Sequence, residues 1–182
     1  YNEISYAQEL SELIPVKNIS KVITPEEFWG TFPKIQYHMD EPLADPAAAA
    51  LYFVCNIASK DLKVALSGEG ADEIFGGYNI YKEPLEMSAY DKIPFPIRKF
   101  IGMIASLFPA KRGFNFLVRR GKRLEERFIG NAYMFTEKER KKLLKNSTSA
   151  KSPAEIVKPY YDMMKGKDPV TKMQFIDLNM WM

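Results

Sequence analysis

One cysteine, one histidine and no apolar run of membrane length limit what this 182-residue chain can do. Cys55 has no partner for an internal disulfide. It lies behind Leu51-Tyr52-Phe53-Val54, so it reads as a buried thiol in a reducing cytosol. The longest apolar stretch, around 100–108, is about half of the ~18 residues that a membrane helix needs, and no basic-then-apolar leader opens the chain. An excess of one charge is also missing: Lys+Arg 26 face Asp+Glu 23. No long-range field therefore calls for nucleic acid, an anionic membrane or an acidic partner. The expectation is a soluble, cytoplasmic chain of about one domain, on the usual ~100–200 residues per domain. Its 46% apolar content can form a core, and neither internal repeats nor low-complexity segments occur.

Helix starts are legible wherever Ser, Thr or Asp can satisfy the free N–H groups of a first turn. Ser5 with Gln8 opens a helix to about Ile14, which Pro15 ends. Thr24, Pro25 and Glu27 open a short helix to about Trp29; Gly30 is expected to stop it, with a second helix over 33–39. Asp45-Pro46 repeats the device ahead of 47–59, a helix apolar on nearly every face and so expected to lie against a sheet. Two short β-branched or apolar segments, 19–23 and 64–66, read as strands.

This alternation predicts an α/β fold with a parallel sheet covered by helices on both faces. Two strands are too few to cover the 47–59 helix, so further strands are expected ahead of Tyr1. After Tyr78 the strand signal stops. Thr136 with Glu139, Ser152-Pro153 with Glu155, and Asp168-Pro169 mark three helix starts, and Pro84, Pro94, Pro96 and Pro109 break up the stretch before them. The expected organisation is a partial α/β nucleotide-binding core over 1–78 and a helical continuation of the same domain over 79–182.

Three features read as structural. His38 falls at a helix end, where a polar side chain is favoured near free carbonyls. Lys111, Arg112, Arg119, Arg120, Lys122, Arg123 and Arg127, with Phe114 and Phe116 interleaved, read as a solvated helical face partly neutralised by Glu125 and Glu126. Val170, Met173 and Ile176 share one helix face, and Met173, Met180 and Met182 read as core.

The stretch that carries chemistry is Lys63-Val-Ala-Leu-Ser-Gly-Glu-Gly-Ala-Asp-Glu-Ile-Phe-Gly-Gly-Tyr78. A strand entering a glycine-punctuated turn and a short helix is the edge at which open α/β sheets bind ligands. Two phosphate motifs fail: the dinucleotide fingerprint wants a small residue where Glu73 stands, and Gly-Lys-Ser/Thr occurs nowhere. What remains is three carboxylates in five residues, Glu69, Asp72 and Glu73, bracketed by Gly68, Gly70, Gly76 and Gly77. Acids in a first helical turn also serve as ordinary caps. The glycines suggest that a ligand or a tight turn needs the room. Carboxylates beside a nucleotide phosphate repel it unless a cation intervenes, so a bound nucleotide implies Mg²⁺ on oxygen ligands such as Asp72.

Ser67-Gly-Glu-Gly-Ala-Asp-Glu-Ile-Phe-Gly-Gly-Tyr78 resembles the second signature of the glutamine-dependent asparagine synthetases. Asp40-Glu-Pro-Leu-Ala-Asp-Pro46 resembles the acidic segment that precedes it, and Tyr1-Asn-Glu-Ile-Ser-Tyr-Ala7 and Met173-Gln-Phe-Ile-Asp-Leu178 are similar to their family counterparts. The resemblance implies an ATP-pyrophosphatase-like α/β synthetase domain, joined in the family to a glutaminase whose nucleophile is an N-terminal cysteine. It implies activation of aspartate by ATP to β-aspartyl-AMP, and amidation with glutamine-derived ammonia to give asparagine, AMP and pyrophosphate.

By resemblance, Ser67 and Gly68 contact ATP, and Glu69 handles the acyl-adenylate by positioning ammonia or accepting its proton. Asp72 ligates Mg-pyrophosphate, and Glu73 holds aspartate through its ammonium group. Asp40 and Asp45 are weaker candidates, Asp45 reading first as a helix cap. The resemblance allows a homodimer.

The family's Ser-Gly-Gly-x-Asp-Ser loop, its glutaminase and its downstream Asp-Arg and Arg-x-Pro-Phe-Leu-Asp segments are not in this sequence, and the internal Cys55 cannot replace the N-terminal nucleophile. The fragment is expected to be inactive alone. The alternatives are a related amide-forming or β-lactam-forming ligase on the same scaffold, or a non-catalytic nucleotide-binding module.

Overall fold

A threonine, a proline and a glutamate build the first long helix as their chemistry requires. In the computed structural model, which describes residues 4–14, 16–43, 45, 47–86, 89–109, 111–131, 133–145 and 151–182, Thr24 Oγ1 accepts the Glu27 N–H at 3.2 Å and Glu27 Oε2 accepts the Thr24 N–H at 3.1 Å. With Pro25 at its start, α2 (Pro25–Met39) runs on to a left-handed Asp40, φ +60°. Gly30 does not stop it, and Pro33 lies inside it. A proline deletes one backbone bond. Here the rings of Phe28, Trp29 and Phe32, 5.2–6.1 Å apart, bridge the two halves.

The chain divides into two units, Tyr1–Ser67 and Gly68–Met182. The first holds α1 (Ile4–Leu13), α2 and α3 (Ala47–Ala58). Pro15 and Pro46, given turn and cap roles by the sequence, lie outside the described residues. Asp45 does cap α3, its Oδ1 accepting the Ala47 N–H at 2.9 Å. Lys34 of α2 donates to Tyr52 Oη of α3 at 3.2 Å, beside buried Ile35 and Ala49.

The expected parallel α/β sheet is overturned: the described residues contain no strand and are mostly helical. A strand exists only where a second backbone supplies the opposing donors and acceptors, and no such ladder forms at 19–23 or 64–66. Lys17, Ile19, Lys21 and Ile23 instead line, residue by alternate residue, a groove of about 680 Å³ whose other wall is α3. Val64 and Leu66 are exposed. Consequently α3 is not covered as expected. Leu51 and Val54 are exposed, and so is Cys55, which is not the buried thiol that its neighbours suggest.

The second unit contains α4 (Ala71–Phe75), 3-10 turns at Asn79–Lys82 and Ala89–Lys92, α5 (Phe95–Ala105), α6 (Arg112–Arg120), α7 (Leu124–Arg127), α8 (Glu137–Leu143), α9 (Pro153–Met163) and α10 (Pro169–Met180). The last three start where the sequence says they should, at Thr136, Ser152 and Asp168, each accepting the backbone N–H three residues on. Its core is Tyr81, Phe128, Val157, Tyr161, Met173 and Ile176. Met182 is exposed and does not join it. No described helix is long and apolar enough to cross a membrane.

Of the basic run, Lys111, Arg112, Lys122 and Arg123 are exposed as expected, whereas Arg119, Arg120 and Arg127 are not a solvated face. Asp91 pairs with Arg98 and Arg120, at 3.0 and 3.1 Å, and Glu83 with Arg119 and Arg127, at 2.8 and 3.5 Å. Arg120 is buried and also donates to the carbonyls of Glu83 and Glu86. These arginines fasten Glu83 and Asp91 to α5, α6 and α7. The two helices pack so closely that a Cβ on Gly121 would meet the Arg98 carbonyl at 2.8 Å.

Candidate functional site

A five-residue helix cannot hold itself together, because nucleation is costly and most of its backbone groups lack intrahelical partners. In α4 glycines turn the chain at both ends, and the C-terminal carbonyls are tied. Gly70, at φ +83°, turns the chain into the helix through the left-handed region. An L side chain there costs about 1–2 kcal/mol, and a Cβ would also meet Met182 Cε at 2.7 Å. Gly76, at φ +72°, turns the chain out, and the N–H groups of Gly76 and Gly77 both donate to the Asp72 carbonyl. The next two carbonyls, of Glu73 and Ile74, accept from a single side-chain amide: Gln174 Nε2 of α10 lies 2.8 and 2.9 Å from them.

The three carboxylates separate. Glu69, in the turn before α4, and Asp72, in its first turn, are exposed; Glu73 is 2% exposed. Adjacent residues on a helix point about 100° apart, so Asp72 and Glu73 cannot share a face. Glu73 Oε1 accepts from Tyr78 Oη at 2.9 Å, and the Tyr78 ring meets Tyr81 edge-on at 5.7 Å. Tyr81 Oη donates to Asp177 Oδ2 at 2.6 Å. Asp177 is fully buried and also accepts the Asn131 N–H on Oδ1 at 2.7 Å and Asn131 Nδ2 on Oδ2 at 2.9 Å.

Burial pushes the Tyr78 hydroxyl up to about 12, with the Glu73 acceptor adding to the effect, so at neutral pH it stays a donor. Burial also raises the Asp177 carboxyl above its ordinary value, while the bonds from Tyr81 and Asn131 pull it back.

Of the other sequence candidates, Ser67 is the exposed last residue of the first unit, and Gly68 is exposed with open space where a Cβ would stand. Asp40 ends α2 and Asp45 caps α3. His38 lies in the last turn of α2. Sequence reasoning missed Gln174, Asn131 and Asp177. One signal was available: Asp177 stands at i+4 from Met173 and i+1 from Ile176, which puts a carboxylate on a core-facing stripe.

Among the described residues no three His, Cys, Asp or Glu side chains form a metal cage. Mg²⁺ does not need one, since it binds through one or two carboxylates plus phosphate oxygens and water. The Asp72 carboxylate fits that mode. It is exposed, and it lies against Gly77 where any Cβ would run into it.

The chain is 44% identical over 183 residues to "Asparagine synthetase [glutamine-hydrolyzing] 1" of Bacillus subtilis (strain 168), covering all of this chain and 29% of that protein. It is 40% identical over 183 residues to "Putative asparagine synthetase [glutamine-hydrolyzing]" of Mycobacterium tuberculosis (strain ATCC 25618 / H37Rv), covering all of this chain and 28% of that protein. It is 29% identical over 115 residues to "Putative asparagine synthetase [glutamine-hydrolyzing] 2" of Methanocaldococcus jannaschii, with 63% and 22% covered. The chain thus spans less than a third of the length of these relatives. No solved structure matches it. The family model described as asparagine synthase matches residues 1–182, and the chain belongs to that family.

Proposed function

We propose that this chain is part of the synthetase portion of a cytoplasmic, glutamine-dependent asparagine synthetase. The observation that carries the reading is the division of labour on one glycine-bounded turn: Glu69 and Asp72 stand exposed, while Glu73 is buried and the C-terminal end of the helix is tied to α10. Such a turn offers carboxylates to a ligand without moving to do so, and preset charge costs little reorganisation during reaction.

The proposed chemistry has two steps. A β-carboxylate oxygen of aspartate attacks the α-phosphorus of ATP, the bond to the β-phosphate oxygen breaks, and pyrophosphate leaves. Ammonia, supplied from glutamine by the glutaminase portion, then attacks the acyl carbon. A nitrogen proton passes to a base, the acyl C–O bond breaks, and asparagine and AMP separate. Glu69 is the carboxylate that positions the ammonia or takes its proton. The Ser67 hydroxyl and the Gly68 backbone contact the nucleotide. Asp72 would hold Mg²⁺, and a bound Mg²⁺ would supply positive charge for the pyrophosphate. Glu73, oriented by Tyr78, supplies the negative charge that holds the aspartate ammonium. These 182 residues alone are inactive, and the intact protein is the object to test.

The deciding assay is carboxylate-dependent exchange of labelled pyrophosphate into ATP. Aspartate is expected to support it and other carboxylates are not. Exchange with another carboxylate in place of aspartate would reassign the acyl donor to a related ligase. Nucleotide binding without any exchange would leave only a binding module.

The metal role has its own test. Asp72→Asn removes the charge, and Gly77→Ala pushes the same carboxylate aside without removing it. Each is expected to raise the Mg²⁺ concentration needed for half-maximal exchange by about tenfold, in the range found when ligands or their supports are altered. An unchanged titration in both variants would take Asp72 out of the metal site.

A further inference from the structure

We infer that Gln174, one turn before Asp177 on α10, is a positioning residue for the acyl-donor site, a role that rests on the function proposed above. It acts by fixing α4, whose Glu73 and Ile74 carbonyls accept from its side-chain amide.

Four carbonyls at the end of any helix lack intrahelical donors. In α4 the Asp72 carbonyl is closed locally by Gly76 and Gly77, and Gln174 closes the Glu73 and Ile74 carbonyls from 101 and 100 residues away. The amide sits against the cap itself, Nε2 lying 3.7 Å from where a Gly76 Cβ would stand. Gln174 and Asp177 are three apart, so they project from one side of α10. Asp177 grips Tyr81 at 2.6 Å, Tyr81 packs on Tyr78, and Tyr78 donates to Glu73 Oε1 at 2.9 Å.

One face of α10 therefore holds Glu73 twice, by its backbone carbonyl and, through two tyrosines, by its carboxylate. Two separated points of attachment stop a short helix from pivoting. Gln174 itself is only half-buried, so its contribution lies in the two donated bonds and not in filled volume. Losing them frees α4 to shift, and weakening a contact that is equal in the ground and transition states raises KM and leaves kcat unchanged.

Two substitutions separate hydrogen bonding from packing. Gln174→Glu keeps the shape and replaces the donor with an acceptor facing two carbonyls. Gln174→Lys keeps a donor at similar reach. In the intact protein, amide hydrogen exchange of residues 71–77 reads the clamp whatever the reaction is, and steady-state kinetics read its effect on the donor. Gln174→Glu is expected to exchange these amides about tenfold faster and to raise KM for aspartate about tenfold, with kcat within about twofold. Gln174→Lys is expected to stay within about threefold of wild type in both.

Unchanged amide exchange in Gln174→Glu would overturn the clamp. Faster exchange with an unchanged KM would reduce Gln174 to a stabilising contact and overturn the positioning role. A wild-type protein that activates no carboxylate sinks the proposed function and the positioning role together, and the amide exchange then still decides the clamp.

Discussion

Glu69→Gln in the intact protein is expected to suppress aspartate-dependent exchange of pyrophosphate into ATP and to lower asparagine formation by about 10²–10⁴-fold, the usual contribution of a positioned acid–base group. The substitution is isosteric. It removes a negative charge and a proton acceptor and keeps the bonds of α4 that come from Gly70, Gly76, Gly77 and Gln174. Glu69 itself is exposed in the turn ahead of the helix. A large loss of rate with an unmoved unfolding midpoint would therefore locate Glu69 in the chemistry. Loss of amide formation with full pyrophosphate exchange would confine it to the ammonia step. Wild-type values in both assays would remove it from the mechanism.

What the sequence made legible was whatever is decided within one turn of backbone. The caps at Thr24, Thr136, Ser152 and Asp168 depend on an oxygen and an N–H three residues away, and all four form. The same local logic overstated Gly30 and Pro33. A glycine costs a helix about 1 kcal/mol and a proline removes one bond, and ring contacts among Phe28, Trp29 and Phe32 span that gap.

Strands are a different case, because period-two patterning tells which way side chains alternate and not which backbone lies opposite. Residues 17–23 keep the alternation along one groove without becoming a strand. The arginines were misread for a related reason. Their acids, Glu83 and Asp91, lie in the proline-broken stretch that reads as short helices and loops, so nothing nearby marked them as partners.

The site divides in the same way. Three acids among glycines are visible in the sequence, but their directions are not. Asp72 faces out and Glu73 in because Tyr78 and Gln174 accept only one register of a five-residue helix, and Gln174 is supplied about 100 residues downstream. Two of the four glycines, Gly70 and Gly76, answer to positive φ, and Gly77 to the space that the Asp72 carboxylate occupies.

Asp177→Ala is expected to be the most destabilising single change in the second unit. It orphans three donors at once: Tyr81 Oη, the Asn131 N–H and Asn131 Nδ2. A buried donor left without an acceptor costs about 1–3 kcal/mol. Tyr81 is 2% exposed and pays in full, whereas Asn131 is exposed and recovers part from water. A total of about 3 kcal/mol follows, or roughly 10–15 °C in the calorimetric midpoint for a unit of this size.

Asp177→Asn keeps the shape and one acceptor, and its amide can donate to Tyr81 Oη, so about half that loss is expected. The two proteins should also diverge with pH in a fixed direction. Burial raises the Asp177 carboxyl in the folded state above 3.8. Its contribution to stability is therefore fully present below 3.8 and is lost as pH rises through the folded-state value, while the asparagine variant lacks this dependence. The stability gap between wild type and Asp177→Asn should be widest in acid and narrow as pH rises. A gap that widened with pH would mean that the bonds from Tyr81 and Asn131 outweigh burial and hold the carboxylate ionised. A wild-type midpoint in Asp177→Ala would show that this network does not secure α10 at all.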